Sequence, residues 1–301
     1  MSCPSLNDYQ IIVRTMKYSI FNLQLSIFLV LLLTSCEDEF LADAEDSQLV
    51  VEGWIVADGF PVVMVSRTLP VTTDYRTTDS LSDYIVRWAR VTVSDGTDSV
   101  ILTGMADARY TPPYIYTTGR MRGEAGKSYR LYVTYRGMEA SATTTIPTSP
   151  PDSVHLTTRR SAQSDTLYEI WGQWRTPRDQ TAYYQLFTRM ADGPLQFLAC
   201  PMGSVASQGT SATNTQTHLV QRCRQLADKD YTPLFVANDT VVVRLARIDE
   251  TSYRIWRSYT ELLALSGNMF LATSANMESN IVGGRGYWCG MNDTVVIQNV
   301  K

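Results

Sequence analysis

The sequence predicts an all-β protein with one helix, and three observations carry that prediction. Apolar and β-branched residues alternate with polar ones in short runs, the pattern of half-buried strands. Turn dipeptides such as Asp58-Gly59, Asp95-Gly96 and Arg136-Gly137 separate these runs at close spacing. Only Glu250 to Leu265 repeats its apolar residues at three- and four-residue steps. The 301 residues are 44% hydrophobic and 19% charged, which excludes a disordered tail, a collagen-like repeat and a disulfide-knotted miniprotein. A formal net charge of -4 with no Lys/Arg run argues against a groove that tracks nucleic-acid phosphates.

The first element is not part of the fold. Ile20 to Leu33 is apolar but interrupted by Asn22, Gln24 and Ser26, and it follows Arg14 and Lys17. It is short for a membrane span, which needs about 20 apolar residues, and reads as the core of a signal peptide over residues 1–35. Met16-Lys17 reads as a natural translation start, which would leave Cys3 out of the cellular protein. Leu33-Thr34-Ser35-Cys36 resembles the lipobox of bacterial lipoproteins, in which only a cysteine sulfur can take the lipid and only small neighbours fit the cleavage site. Cys36 is therefore the expected lipidation site, and residues 36–47, opening on Glu37-Asp38-Glu39-Phe40, a lipidated acidic tether. An acidic cluster beside the lipidated cysteine resembles a surface-export signal.

Strands follow at Leu49–Val56, Pro61–Ser66, Trp88–Val93, Ser99–Leu102, Ser128–Thr134 and Met138–Ile146. Their short length and close spacing, with no helical period between them, predict an immunoglobulin-like or fibronectin-like β-sandwich over residues 48–146. Residues 147–153 hold three prolines that lack a ladder N–H, so this stretch is the expected linker. Strands resume at Leu167–Trp174, Ala182–Thr188, Thr240–Ala246 and Thr294–Ile297, predicting a second sandwich over 154–301 that includes the helix 250–265. The helix carries Ile255, Trp256, Tyr259, Leu262 and Leu263 on one stripe, with acids at its start and Gly267-Asn268 after its end. Such a stripe predicts core packing. Pro70–Tyr84 and Gly203–Gln216 read as long polar insertions where a partner surface would lie, alongside the aromatic patch Tyr110, Tyr114 and Tyr116.

The tether, the first strand Leu49-Val50-Val51-Glu52-Gly53, the approach Gly126 to Leu131 and the Thr145-Ile146-Pro147 linker resemble domain-of-unknown-function family 4249. The specific part of that resemblance is Gly267-Asn268-Met269-Phe270 continuing to Ser279-Asn280-Ile281-Val282-Gly283-Gly284-Arg285-Gly286-Tyr287-Trp288. Met269 and Arg285 depart from the usual proline and leucine. The resemblance implies lipoproteins that often accompany TonB-dependent outer-membrane transporters, and it brings no catalytic residues. Gly283 to Gly286 reads as a turn needing positive φ, since neither the Walker lysine spacing nor the dinucleotide-binding glycine order is present.

His155 and His218 belong to no metalloprotease helix or nucleophile elbow, and no catalytic residue, metal site or cofactor is expected. Cys200, Cys223 and Cys289 lack zinc spacing, and an envelope compartment favours oxidation. Three pairings are open. The expected bridge is Cys200–Cys223, worth about 3 kcal/mol in the chain-entropy picture, with Cys289 as competitor. Six Asp-hydroxyl-aliphatic tripeptides place candidate O-glycosylation sites at Ser80, Ser99, Ser153, Thr166, Thr240 and Thr294, with Ser80 the most accessible. The same tripeptides are also ordinary turn-to-strand chemistry.

The expected function is that of a surface-anchored outer-membrane lipoprotein, a non-enzymatic accessory or ligand-binding partner of a TonB-dependent transporter. A structural or adhesive surface protein and an envelope hydrolase with an unrecognised site are the alternatives.

Overall fold

The computed structural model describes residues 47–68, 79–178, 180–193, 195–208, 214–223, 231–265 and 277–301. The signal segment, Cys36 and all but the end of the acidic tether lie outside these residues, as does most of the Pro70–Tyr84 insertion. Gln48 to Lys301 form one compact unit.

The first half contributes β1 (Leu49–Val56), β2 (Val62–Arg67), β3 (Arg90–Ser94), β4 (Ser99–Ile101), β5 (Thr103–Ala106), β6 (Tyr114–Thr117), β7 (Ser128–Tyr135) and β8 (Met138–Thr145). A 3-10 turn occupies Asp79–Tyr84. The second half contributes β9 (Asp152–Arg160), β10 (Leu167–Arg175), β11 (Thr181–Met190), β12 (Leu198–Gln208), β13 (Thr215–Val220), β14 (Phe235–Val236), β15 (Thr240–Ile248), α1 (Glu250–Leu265) and β16 (Gly284–Asn299). The protein is thus all-β with one helix. Turn chemistry places the hairpins where expected. Arg136 and Gly137, both at positive φ, close β7 onto β8 in the two-residue geometry that suits strand twist.

Three sheets result. A large one runs β12-β11-β15-β16-β1-β2-β6-β5, and two four-stranded sheets run β4-β3-β7-β8 and β13-β10-β14, with β9 paired to β10. One core lies between the large sheet and β3, β7 and β8, and contains Leu49, Val51, Ile55, Val63, Val91, Val93, Leu131 and Trp288. A second joins β10, β13 and β14 to β11 and β15 through Ile170, Trp174, Tyr184, Leu186, Val220, Phe235 and Val243. Two sandwich-like cores are therefore present, but they share a sheet. β1 pairs in parallel with β16, from Leu49 opposite Gly284 to Val56 opposite Met291. The expected boundary at 147–153 thus separates two cores but not two sheets, because the last strand of the chain closes the first core. The reason is visible in β16, whose 16 residues are long enough to pair with β1 and with β15 along successive stretches.

Other sequence expectations also change. Gly203–Gln216 is not one polar insertion, since Gly203–Gln208 completes β12 and Thr215 opens β13. Buried Gly203, Val205 and Ser207 alternate there with more exposed small residues, and Val205 faces the second core. The glycine run 283–286 is mostly strand, because β16 begins at Gly284. The helix α1 packs on the opposite face of the large sheet, where Trp256 lies 5.2 Å from the ring of Phe187 and 4.8 Å from that of Tyr287. Asp249 caps it by accepting the N–H of Ser252 at 2.7 Å.

Candidate functional site

The segment 279–288 is a structural corner. Trp288 is fully buried and donates its indole N–H to the carbonyl of Tyr129 at 2.9 Å. Asn280 brackets the Trp288 backbone, accepting its N–H at 2.9 Å and donating to its carbonyl at 2.8 Å. Val282 and Ser141 exchange backbone hydrogen bonds at 2.8 and 2.9 Å, adding one residue pair to the edge of β8. Gly283 and Gly286 hold φ of 80° and 109°, and a Cβ at either would collide with the carbonyl of Glu139 or of Val51. The positive φ expected of this run is thus present, and its role is to let three strands approach. Beside the corner, Arg130, Tyr132, Ser141, Thr143, Asn280 and Val282 line an open groove of about 250 Å³, in which Arg130 donates to the Tyr132 hydroxyl at 2.9 Å.

The three patch tyrosines do not share a surface. Period-two alternation in β6 turns Tyr114 and Tyr116 toward the first core, where their hydroxyls donate to the carbonyls of Arg87 at 2.9 Å and Val86 at 2.7 Å. Tyr116 is only 2% exposed, and burial pushes its pKa up to about 12. Tyr110 alone reaches the outer face of the large sheet, with its ring 6.2 Å from that of Trp54.

The cysteine expectation is also corrected. Cys200, Cys223 and Cys289 are buried thiols with no disulfide among them. Cys200 Sγ donates to the Gln221 carbonyl at 3.1 Å and Cys223 Sγ to the Thr188 carbonyl at 3.4 Å, so each thiol is satisfied by backbone. Burial pushes the Cys200 and Cys289 thiols up to about 12, far from a reactive thiolate. His155 is exposed on β9, whereas His218 on β13 sits 2.6 Å from the Met202 carbonyl. No cluster of three or more His, Cys, Asp or Glu suited to a metal occurs among the described residues.

Of the candidate glycosylation hydroxyls, Ser99 and Thr166 are exposed. Ser153, Thr240 and Thr294 are partly covered and bond respectively to Asp152, Asn299 and the Pro151 carbonyl. Ser80 lies in the 3-10 turn, and its side chain is outside the described set.

The charged cluster on the outer face was not anticipated. Pairing of β11 with β15 sets Arg244 opposite Phe187 and Arg189 opposite Val242, which puts both guanidiniums on one face as diagonal neighbours. Asp293 of β16 lies 2.8 Å from Arg244 Nε. That N–H is nevertheless buried without a hydrogen-bond acceptor, as is Arg189 Nε, so the Asp293 contact is one of charge rather than of aligned bonding. Phe197 lies against both cations, 4.0 Å from the Arg244 guanidinium carbon and 5.3 Å from that of Arg189. Gln196 accepts the Thr111 N–H at 2.8 Å, which ties the Tyr110 loop to this spot. Burial lowers the Arg244 pKa, partly offset by Asp293, and burial raises that of Asp293 against the pull of Arg244. One signal was legible: Arg244 interrupts the otherwise apolar run Val241-Val242-Val243-Arg244-Leu245-Ala246.

The family model described as domain of unknown function DUF4249 matches residues 37–295. The chain belongs to the DUF4249 family. No curated protein matches it. The DUF4249 match spans both cores, and the residues most specific to the sequence resemblance include the Trp288 corner, so that stretch is explained by architecture.

Proposed function

We propose that the chain is a surface-facing outer-membrane lipoprotein, anchored through Cys36, that serves a TonB-dependent transporter as a non-enzymatic accessory or ligand-binding partner. The observation that carries this reading is positional. The family match starts at residue 37, directly after the cysteine of Leu33-Thr34-Ser35-Cys36. A mature chain starting at Cys36 begins where the family's shared sequence begins. The ligand-binding form is supported by the half-buried arginine pair on the outer side of the large sheet, each with a buried Nε–H that has no acceptor.

Membrane fractionation tests the anchor. Cys36→Ala should release the protein from membranes or leave it unprocessed, and an unmodified mature N-terminus in intact-mass analysis would sink the reading. Copurification with an intact outer-membrane transporter tests the partnership, whereas self-polymerisation would favour the adhesive alternative and turnover of an ester or peptide panel the hydrolase. In the same envelope setting, Ser99 and Thr166 are the best-placed hydroxyls for O-glycosylation among the five candidates whose side chains are described. Peptide masses from native material decide whether either is occupied.

A further inference from the structure

We propose that Arg189 and Arg244 form a binding site for the carboxylate of a small organic monoanion. The argument starts from charge. Two arginines and one aspartate leave a local surplus of one positive charge in a place where burial weakens solvation. Geometry sharpens it. Arg189 makes one hydrogen bond among the described residues, to the neighbouring Met190 carbonyl at 3.3 Å, and has no carboxylate there. The Nε–H of each arginine lacks an acceptor. Guanidinium is a planar fork of donors, and a planar carboxylate accepts two of its N–H groups side by side. A single negative charge balances the surplus, whereas a dianion would meet Asp293 with a second charge to repel. The Nε–H groups themselves are buried, but the pair borders solvent, since 21% of the Arg244 side chain and 16% of that of Asp293 remain exposed. Phe197 and Tyr110 border it with aromatic surface, suited to an apolar body attached to the carboxylate.

This inference rests on the ligand-binding form of the proposed function and not on the membrane anchor. Benzoate is the probe, titrated by calorimetry into the full chain in non-ionic detergent, with benzamide and inorganic phosphate as controls. Benzoate should bind, benzamide should not, and Arg189→Met should weaken benzoate about tenfold or more. Arg189→Lys keeps the charge and loses the fork, and should fall between the two. Arg244→Met leaves Asp293 without its cation and can unfold the sheet, so Arg189, which has no acidic partner to strand among the described residues, carries the decision. No benzoate binding by the folded protein overturns the proposal, as does binding unchanged in Arg189→Met or phosphate bound in preference. Membrane-bound protein that ignores benzoate fails the site alone. Benzoate-binding protein that lacks a lipid fails the anchor alone.

Discussion

The corner at Trp288 and the arginine pair at Arg189 and Arg244 lie on opposite faces of the same large sheet, and they treat their polar groups in opposite ways. At the corner the indole N–H and both backbone groups of Trp288 have partners, and the glycines beside it allow carbonyls of β1 and β8 to approach closely. At the pair, two buried guanidinium N–H groups have no acceptor, two cations share one ring, and one aspartate lies beside Arg244. A fully satisfied site holds a fold together. A buried donor left over costs about 1–3 kcal/mol, and such exceptions call for a reason beyond packing.

The contrast can be broken most directly at Trp288. Trp288→Ala removes a fully buried ring and its hydrogen bond to the Tyr129 carbonyl, and should cost about 3–5 kcal/mol in chemical denaturation. A loss under about 1 kcal/mol would show that the corner is not what closes the first core. Gly286→Ala comes next, since it forces a Cβ onto the Val51 carbonyl at positive φ; a loss above about 1 kcal/mol is expected by the same measurement.

Arg189→Met sharpens the other side. It removes a cation with no acidic partner among the described residues while keeping an unbranched apolar stem, so stability should change by less than about 1 kcal/mol. A large loss would make Arg189 a structural residue like Trp288.

The smallest effect concerns Glu52, on the outer face of β1 opposite Tyr287, whose carboxyl is raised above its usual value by burial. A raised folded-state pKa means that the folded protein holds its proton more tightly than the unfolded chain. The stability Glu52 contributes is therefore full below the ordinary value of 4.5 and is lost as pH rises through the folded value. Glu52→Gln should be the more stable protein at neutral pH, with the difference vanishing on acidification below 4.5. Equal denaturation midpoints at pH 7 would remove burial at Glu52 as an energetic factor.

Much of the fold was legible because its signals are local. Alternation marked β1, β7, β8, β10 and β15, Arg136-Gly137 marked a hairpin, and the three- and four-residue spacing of Ile255, Trp256 and Tyr259 marked α1 over Glu250–Leu265. Less legible were β9, β12 and β13, whose serines, threonines and glycines dilute the apolar period. The tyrosine patch misled because proximity in sequence is not a shared face: residues 114 and 116 turn inward on β6, and 110 sits in the preceding loop.

By itself, then, the sequence determined the class of structure, the single helix, the glycines of the 283–286 run and the family, since each depends on residues close together in the chain. Only the tertiary structure decided that the two cores share a sheet, that the Cys200 and Cys223 thiols each find a backbone carbonyl, and that Arg244 meets Arg189, Asp293 and Phe197. Those outcomes depend on which strands become neighbours. The parallel pairing of β1 with β16 joins residues more than 200 positions apart, and no local pattern encodes that choice.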